Sequence, residues 1–280
     1  MQNLWRLIFL WLLTSNCLAD QFRIVTWNLN WFPGKNPASN PAQRAVHMSE
    51  ARDALLMLKP DFLCLQEVRD YQSVRQLVDV LPNFQVHVVS RFKEKFGDII
   101  GIQQTAICGF KPAEAAWSES WQPGKSGPPR GYSFSAIRTS EGNYLLVYSV
   151  HFKSNLDSLP DDFAKREESA LQLLDHESAM EKIYSKIGKI SVVVGGDFNT
   201  TPDDARFAVD QTFSLLGKRF LWCWEKTPRA DRVTLLGHGR YPDATFDGFF
   251  IKNCTLISVG VINTGEVSDH RPVQMLISVP

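Results

Sequence analysis

Five apolar runs in this chain each end on a short polar patch, and that recurrence constrains the fold more than any single residue does. The patches are Thr26-Trp27-Asn28, Gln66-Glu67, Val150-His151-Phe152-Lys153-Ser154-Asn155, Gly195-Gly196-Asp197-Phe198-Asn199 and Ser268-Asp269-His270-Arg271-Pro272. Each apolar run reads as a buried strand, and each polar residue follows at the strand's end. In α/β architectures such ends are where site residues converge. Carboxylates, asparagines and histidines delivered this way point to one site for a hard cation and a phosphate.

The surrounding sequence supports a layered fold. Strands are predicted near 22–28, 62–67, 85–90, 104–110, 132–138, 144–151, 190–196, 246–251, 255–262 and 273–279, from β-branched and aromatic runs bounded by Gly, Pro, Asn and Asp. Helices are predicted over 43–58, 72–80 and 163–187. In the first, Ala45, Met48, Ala51, Leu55 and Leu58 recur at helical spacing, and Pro60 ends it. Hairpin-like strand pairs, such as 132–138 with 144–151 around Glu141-Gly142-Asn143, alternate with helices. That mix predicts an α/β fold of two mainly antiparallel sheets facing each other with helices outside. No repeat or low-complexity linker divides residues 20–280, so they read as a single domain.

The N-terminus reads as a signal peptide over residues 1–19. Arg6 flanks an apolar stretch, Leu7 to Leu13, too short to span a bilayer, and Cys17-Leu18-Ala19 supplies small residues before a cut. Export to the periplasm or the medium is the expectation. It would leave Cys64, Cys108, Cys223 and Cys254 in an oxidising compartment, where Cys223 and Cys254 could pair. The whole chain has 30 basic and 30 acidic residues, which excludes a global polycation. Any nucleic-acid affinity must come from a local patch. Residues 217–240 supply one: Lys218, Arg219, Lys226, Arg229, Arg232 and Arg240 outweigh Glu225 and Asp231, and Trp222 and Trp224 are interleaved. Lys218, Arg219, Arg229 and Arg232 are expected to take phosphates and Trp222 to stack on bases. The alternative is that the tryptophans alternate into a core while the charges are solvated.

Taken in order, Phe22–Asn28 (FRIVTWN), Leu63–Asp70 (LCLQEVRD), Val150–Asn155 (VHFKSN), Val194–Asn199 (VGGDFN), Ala244–Phe250 (ATFDGFF) and Ser268–Pro272 (SDHRP) resemble the motifs of the endonuclease/exonuclease/phosphatase superfamily. The resemblance spans almost all of residues 20–280. It implies a four-layer α/β sandwich carrying a Mg²⁺- or Mn²⁺-dependent phosphodiesterase or phosphatase site. Glu67 is the expected metal carboxylate, because Mg²⁺ prefers oxygen donors and keeps several waters. Asn28 either ligates through its amide oxygen or orients Glu67, and Asp269 is a metal-side or orienting carboxylate. By resemblance, Asp197 positions or deprotonates the attacking water, Asn199 and Asn155 serve the phosphate side, and Arg130 reaches a phosphate. His270 is the general base or a phosphate-binding imidazolium, held by Asp247.

His151, where repair-type relatives carry Asn, together with the WNLNWF and QEVRD stretches, makes the chain look more like secreted nucleases of the deoxyribonuclease I type. In that type a glutamate supports the histidine; Gln104 stands at the matching position. A neutral amide would not stabilise an imidazolium, so phosphate hydrogen bonding by His151 is as consistent as proton donation. The expected function is a secreted nuclease acting as a monomer on DNA or RNA. The rival is a phosphatase or phospholipase-type enzyme on inositol phosphates or sphingomyelin-like lipids. Against the inositol class, Phe246-Asp247-Gly248 stands where those enzymes carry Cys-Asp-Arg.

Overall fold

A computed structural model describes residues 19–94, 98–140, 142–237, 239 and 241–280. The predicted signal segment therefore lies outside the described residues, except for Ala19. The chain builds β1 (Asp20–Phe32), α1 (Pro41–Leu58), β2 (Phe62–Val68), α2 (Tyr71–Val78), β3 (Gln85–Val89), β4 (Gln104–Gly109), β5 (Ala113–Ser120) and β6 (Gly131–Arg138). It continues through β7 (Tyr144–His151), α3 (Leu159–Tyr184), β8 (Ile190–Asp197), α4 (Thr212–Leu216), β9 (Leu221–Trp222), β10 (Asp247–Lys252), β11 (Thr255–Val261) and β12 (Val273–Val279).

The strands form two six-stranded mixed sheets, ordered β11-β12-β1-β2-β4-β3 and β5-β6-β7-β8-β10-β9. Each contains one parallel pair, β1 with β2 and β7 with β8, and is otherwise antiparallel. The α/β sandwich expected from the sequence is present. Helices α1 and α2 cover the first sheet through Ala51, Leu55, Val74 and Leu77, and α3 covers the second through Ala170 and Leu173. Between the sheets lies a third layer, with Ile24, Phe62, Cys64, Val147, Val193 and Phe249 fully buried.

Local chemistry sets the helix ends. Asn40 and Gln43 form a reciprocal capping box around Pro41, and Lys59 closes α1 in a left-handed conformation just before Pro60. Asp70 caps α2 by accepting the Ser73 N–H at 2.8 Å. Three elements escaped the sequence reading. The run of β5, AEAAWSES, is poor in β-branched residues and suits a helix by propensity. Pairing with β6 overrides that preference and sets Trp117 4.4 Å from Phe134, ring to ring. The others, the five-residue α4 and the two-residue β9, are too short for periodicity to reveal.

Candidate active site at the open end of the sandwich

Strand alternation explains why the site forms where it does. On β1, β2, β7, β8 and β10 the residues facing the other sheet are apolar in the middle and polar at one end. On β8 the inward series runs Val193, Gly195, Asp197; on β7 it runs Val147, Ser149, His151. On β10, which runs the other way, Asp247 pairs with Asp197. His151, Asp197 and Asp247 therefore sit side by side on three neighbouring strands. Asn28 opposes them from β1.

A polar layer separates this end from the apolar core. Gln66 donates to Ser149 Oγ at 3.1 Å and to Thr26 Oγ1 at 3.2 Å, and Ser149 donates to the Leu65 carbonyl at 3.0 Å. These bonds tie the two sheets together directly beneath the site. A register shift in β2 then places Glu67 in the left-handed region at φ 56°. Gln66 and Glu67, adjacent in sequence, consequently both serve the inter-sheet end. Asn30, Trp31, Arg130 and Asn199 also have positive φ. Five of the nine positive-φ non-glycine residues among the described residues thus lie around one cleft, and such strain recurs at active sites.

The contacts are dense. His270 Nδ1 lies 2.8 Å from Asp247 Oδ2, and its Nε2 lies 3.9 Å from Asp197 Oδ2. His151 Nε2 lies 3.6 Å from the same Asp197 oxygen and 3.8 Å from Glu67 Oε1. Asn28 donates its amide to Asp197 at 3.0 Å and to Glu67 at 3.3 Å, while its own oxygen accepts from the Asn30 N–H at 3.0 Å. Trp31 N–H fixes the second Glu67 oxygen at 3.0 Å. Asn199 donates to the Phe152 carbonyl at 3.1 Å, and its backbone N–H bonds Asp197 at 2.9 Å. Arg130 is clamped to the carbonyls of His151 at 2.9 Å and Phe152 at 2.6 Å, so it belongs to the cleft rather than to a free loop.

These surroundings set the protonation states. Burial opposes charge on His270, but Asp247 and Asp197 overcome it and hold the imidazole well above its ordinary range. That direction favours the charged imidazole, the form that would bind a phosphate oxygen. Burial pushes Asp197 up to about 7, with His270 pulling against it and Asp247 adding to it. His151 moves the opposite way: burial, then Arg130 and His270, hold it well below the usual histidine value. A neutral His151 cannot donate a proton as an imidazolium. Its Nδ1 is buried with no hydrogen-bond partner, so Nε2, facing the carboxylates, is the nitrogen placed to carry the proton.

Two donor sets could hold a cation. Asp197, Asp247 and His270 offer ligand atoms within 4.8 Å of one another. Yet His270 already bonds Asp247, and Asp247 is fully buried, so an ion there would have to displace that pair. Glu67 is the better seat. Its side chain is 13% exposed at the cleft mouth and offers the hard oxygen that Mg²⁺ or Mn²⁺ prefers. Asn28 acts here through its amide N–H groups, orienting Glu67 and Asp197. Asp269 is exposed, accepts only from Ser268 Oγ at 3.3 Å among the described residues, and lies outside the cluster.

Several expectations need correction. Gln104 does not touch His151. Its amide is spent on Ser90, Phe92 and Gly101, where it closes the 90–101 loop. Trp222 is not a base-stacking platform, because its ring packs on Phe198, Phe213 and Phe250. Arg219 is bound to Glu177 and Glu181 of α3. Arg232 is buried, bonding the Trp224 carbonyl at 3.2 Å and Asp203. Of that basic segment, Lys218, Lys226 and Arg229 remain exposed, and Arg240 lies outside the described residues. Cys223 and Cys254 are free, as are Cys64 and Cys108, and Cys223 Sγ accepts the Phe249 N–H at 3.2 Å.

The sequence reading also missed supporting residues. Arg166 of α3 is fully buried, pairs with Asp210 at 2.8 Å and donates to Asn155 at 2.9 Å. Asn155 in turn donates to the Asn199 carbonyl at 2.8 Å. Asn155 is thus a brace behind Asn199, and a lone arginine in a charged helix gave no sign of it. Trp27 Nε1 bonds the His270 carbonyl at 3.0 Å, and Trp224 Nε1 bonds that of Asp247 at 3.0 Å.

Comparison with solved structures finds the same fold at low identity. An endonuclease/exonuclease/phosphatase family protein from Bacteroides thetaiotaomicron aligns over 94% of this chain and 99% of its own, with TM-score 0.68 and 14% identity. The human Nocturnin catalytic domain with bound sulfate aligns over 93% and 94%, with TM-score 0.68 and 16% identity. D. rerio TDP2 complexed with single-strand DNA product aligns over 92% and 99%, with TM-score 0.63 and 16% identity. No curated protein matches the sequence. The model of the Endonuclease/Exonuclease/phosphatase family, whose members are metal-dependent hydrolases of phosphate esters, matches residues 25–270. The chain belongs to that family.

Proposed function

We propose that this chain is a Mg²⁺- or Mn²⁺-dependent phosphodiesterase whose substrate is nucleic acid. The observation that carries the reading is the convergence of Glu67, His151, Asp197, Asp247 and His270 in one cleft, with His270 Nδ1 2.8 Å from Asp247 and His151 Nε2 3.6 Å from Asp197. His270 holds a phosphoryl oxygen. Asp197 in its ionised form takes the proton of the attacking water, and a base with pKa near the working pH is the efficient kind. Asn199 and Arg130 bind the phosphate, and neutral His151 hydrogen-bonds it through Nε2–H. Glu67, steadied by Asn28 and Trp31, would hold the cation, which when bound stabilises charge on the phosphoryl and leaving oxygens.

The nuclease assignment draws on the deoxyribonuclease-like motif details and on the DNA product held by the TDP2 relative. Gly248 weighs against the inositol phosphatase class. A Cβ there would come within 2.5 Å of Trp222 and 2.8 Å of Trp224, so no arginine fits after Asp247. Export is part of the proposal: β1 starts at Asp20, so a cut after Ala19 would leave that strand whole. Among the described residues no helix is long and apolar enough to cross a membrane.

Purified protein incubated with plasmid, RNA, p-nitrophenyl phosphate and sphingomyelin vesicles tests the reading. Polynucleotide turnover that needs Mg²⁺ or Mn²⁺, and that weakens in Glu67→Gln at limiting metal, is the expected outcome. Full turnover in chelator, or faster hydrolysis of the monoester or the lipid, would overturn it.

A further inference from the structure

Outside the catalytic cleft, the helical face of the first sheet carries a groove of about 670 Å³ between α1 and α2. Arg44 and Arg52 of α1 and Arg69, just before α2, line it, with Gln72 and Gln76 on the α2 side. Arg52 is paired with Asp79 at 2.8 Å. Arg44 and Arg69 are different. Each has a buried Nε with no hydrogen-bond acceptor, and neither has a carboxylate partner among the described residues. The carboxylate that lines the groove, Asp70, is already engaged as the α2 cap. The first turn of α2 adds the positive end of its dipole to the same space.

Unsatisfied buried donors are costly, and here they belong to cations. An oxyanion answers both deficits at once, because guanidinium forks match the paired oxygens of a phosphate. We propose that the α1–α2 groove is a second oxyanion site, distinct from the catalytic cleft, which takes a phosphate group through Arg44 and Arg69. Two sources share that chemistry: a phosphate on a flanking part of the substrate strand, and free inorganic phosphate. The groove's position favours the strand. Arg69 lies two residues beyond Glu67, its N–H bonds the Phe32 carbonyl at 2.8 Å, and Pro33 continues the wall from the end of β1.

Nitrogen–proton NMR of the arginine Nε groups in the wild-type protein tests this directly, with R44Q and R69Q serving to assign the two signals. The titrations use inorganic phosphate and short oligothymidylates, in chelator so that nothing turns over. The expected result is movement of both signals, with the oligothymidylate midpoint on the order of tenfold or more below that of phosphate, because a tethered phosphate gains effective concentration. Equal midpoints would keep the site but assign it to free phosphate. Still signals with both probes, or shifts reproduced by sodium chloride at matched ionic strength, would overturn it. Because the readout needs no hydrolysis, its failure would leave the phosphodiesterase reading standing, and failure of that reading would leave this one testable.

Discussion

Two buried charge clusters sit on the second sheet, and they are built on opposite plans. Under α3, Glu177 is fully buried yet meets Arg219 at 2.9 Å and Lys252 at 3.0 Å, while Glu181 takes Lys252 at 2.7 Å and also Arg219. Two anions face two cations. At the strand ends, Asp197 and Asp247 are cross-strand neighbours with a single histidine charge between them. There Asp247 Oδ1 and His151 Nδ1 lack partners, and the nearby backbone is strained. The first plan holds a helix on a sheet. The second keeps charges poised, at the expense of local stability, which is the pattern expected of catalytic groups.

Asp197→Asn should show the largest separation of the two plans. Turnover should fall by on the order of 10² or more, the usual size for a positioned acid–base group. The thermal midpoint should hold or rise, since the amide removes a carboxylate that burial disfavours. The ordinary carboxylate value is 3.8 and the folded value is about 7, so the folded state holds a proton there that the unfolded chain lacks. That contribution to stability is present below the ordinary value and is lost as pH rises toward 7. Parallel kinetics and melting curves decide; a large drop in midpoint would mean that Asp197 is structural. Glu177→Ala should do the reverse. Removing one partner from a buried ion pair costs roughly 3–5 kcal/mol, read from the denaturant midpoint. If the fold survives, kcat should change far less than in Asp197→Asn.

A finer probe separates Asp197 from His270 within the site. Activity should rise as Asp197 loses its proton near pH 7 and fall when His270 loses its own at higher pH. Asp247→Asn removes the 2.8 Å partner that helps to keep His270 charged, so the alkaline limb should move to lower pH. His270's pairing acts on stability in the same sense, being complete below the ordinary histidine value of 6.5 and lost as pH climbs through the raised one. A pH–rate profile with an unmoved alkaline limb would assign that limb to another group.

Where sequence alone succeeded, the signal was local and periodic. Asp197 and His151 each end an apolar run on the inward parity of the strand, and motif likeness then singled them out as site candidates. Glu67 could be placed only with help from motif likeness, since its left-handed backbone breaks the alternation. The failures were tertiary. Trp222 and Arg219 have the composition of a nucleic-acid patch, but a ring packed on Phe250 and a guanidinium facing Glu177 look no different in sequence from exposed ones. Gln104 sits at the right place in a motif and turns the other way, into the 90–101 loop. Arg166, buried behind Asn155, lies in a helix whose charges otherwise look solvated.

The smallest expected effect lies in what remains of that basic segment. Arg219 and Arg232 are committed to carboxylates, so their removal would disturb the fold and report little on substrate. Lys218 is exposed, and Arg229 is exposed with one bond, 3.1 Å, to the Asp203 carbonyl. The double change Lys218→Gln with Arg229→Gln should therefore leave the melting midpoint almost in place, because surface substitutions usually fall within about 0.5 kcal/mol. If either side chain meets a phosphate, the slope of log affinity against log salt should flatten by roughly 0.7–0.9 for each phosphate no longer neutralised. The measurement is polynucleotide affinity in chelator at several salt concentrations. An unaltered slope would remove Lys218 and Arg229 from the substrate path and leave Lys226 as the exposed cation of that segment, among the described residues, still to be tried.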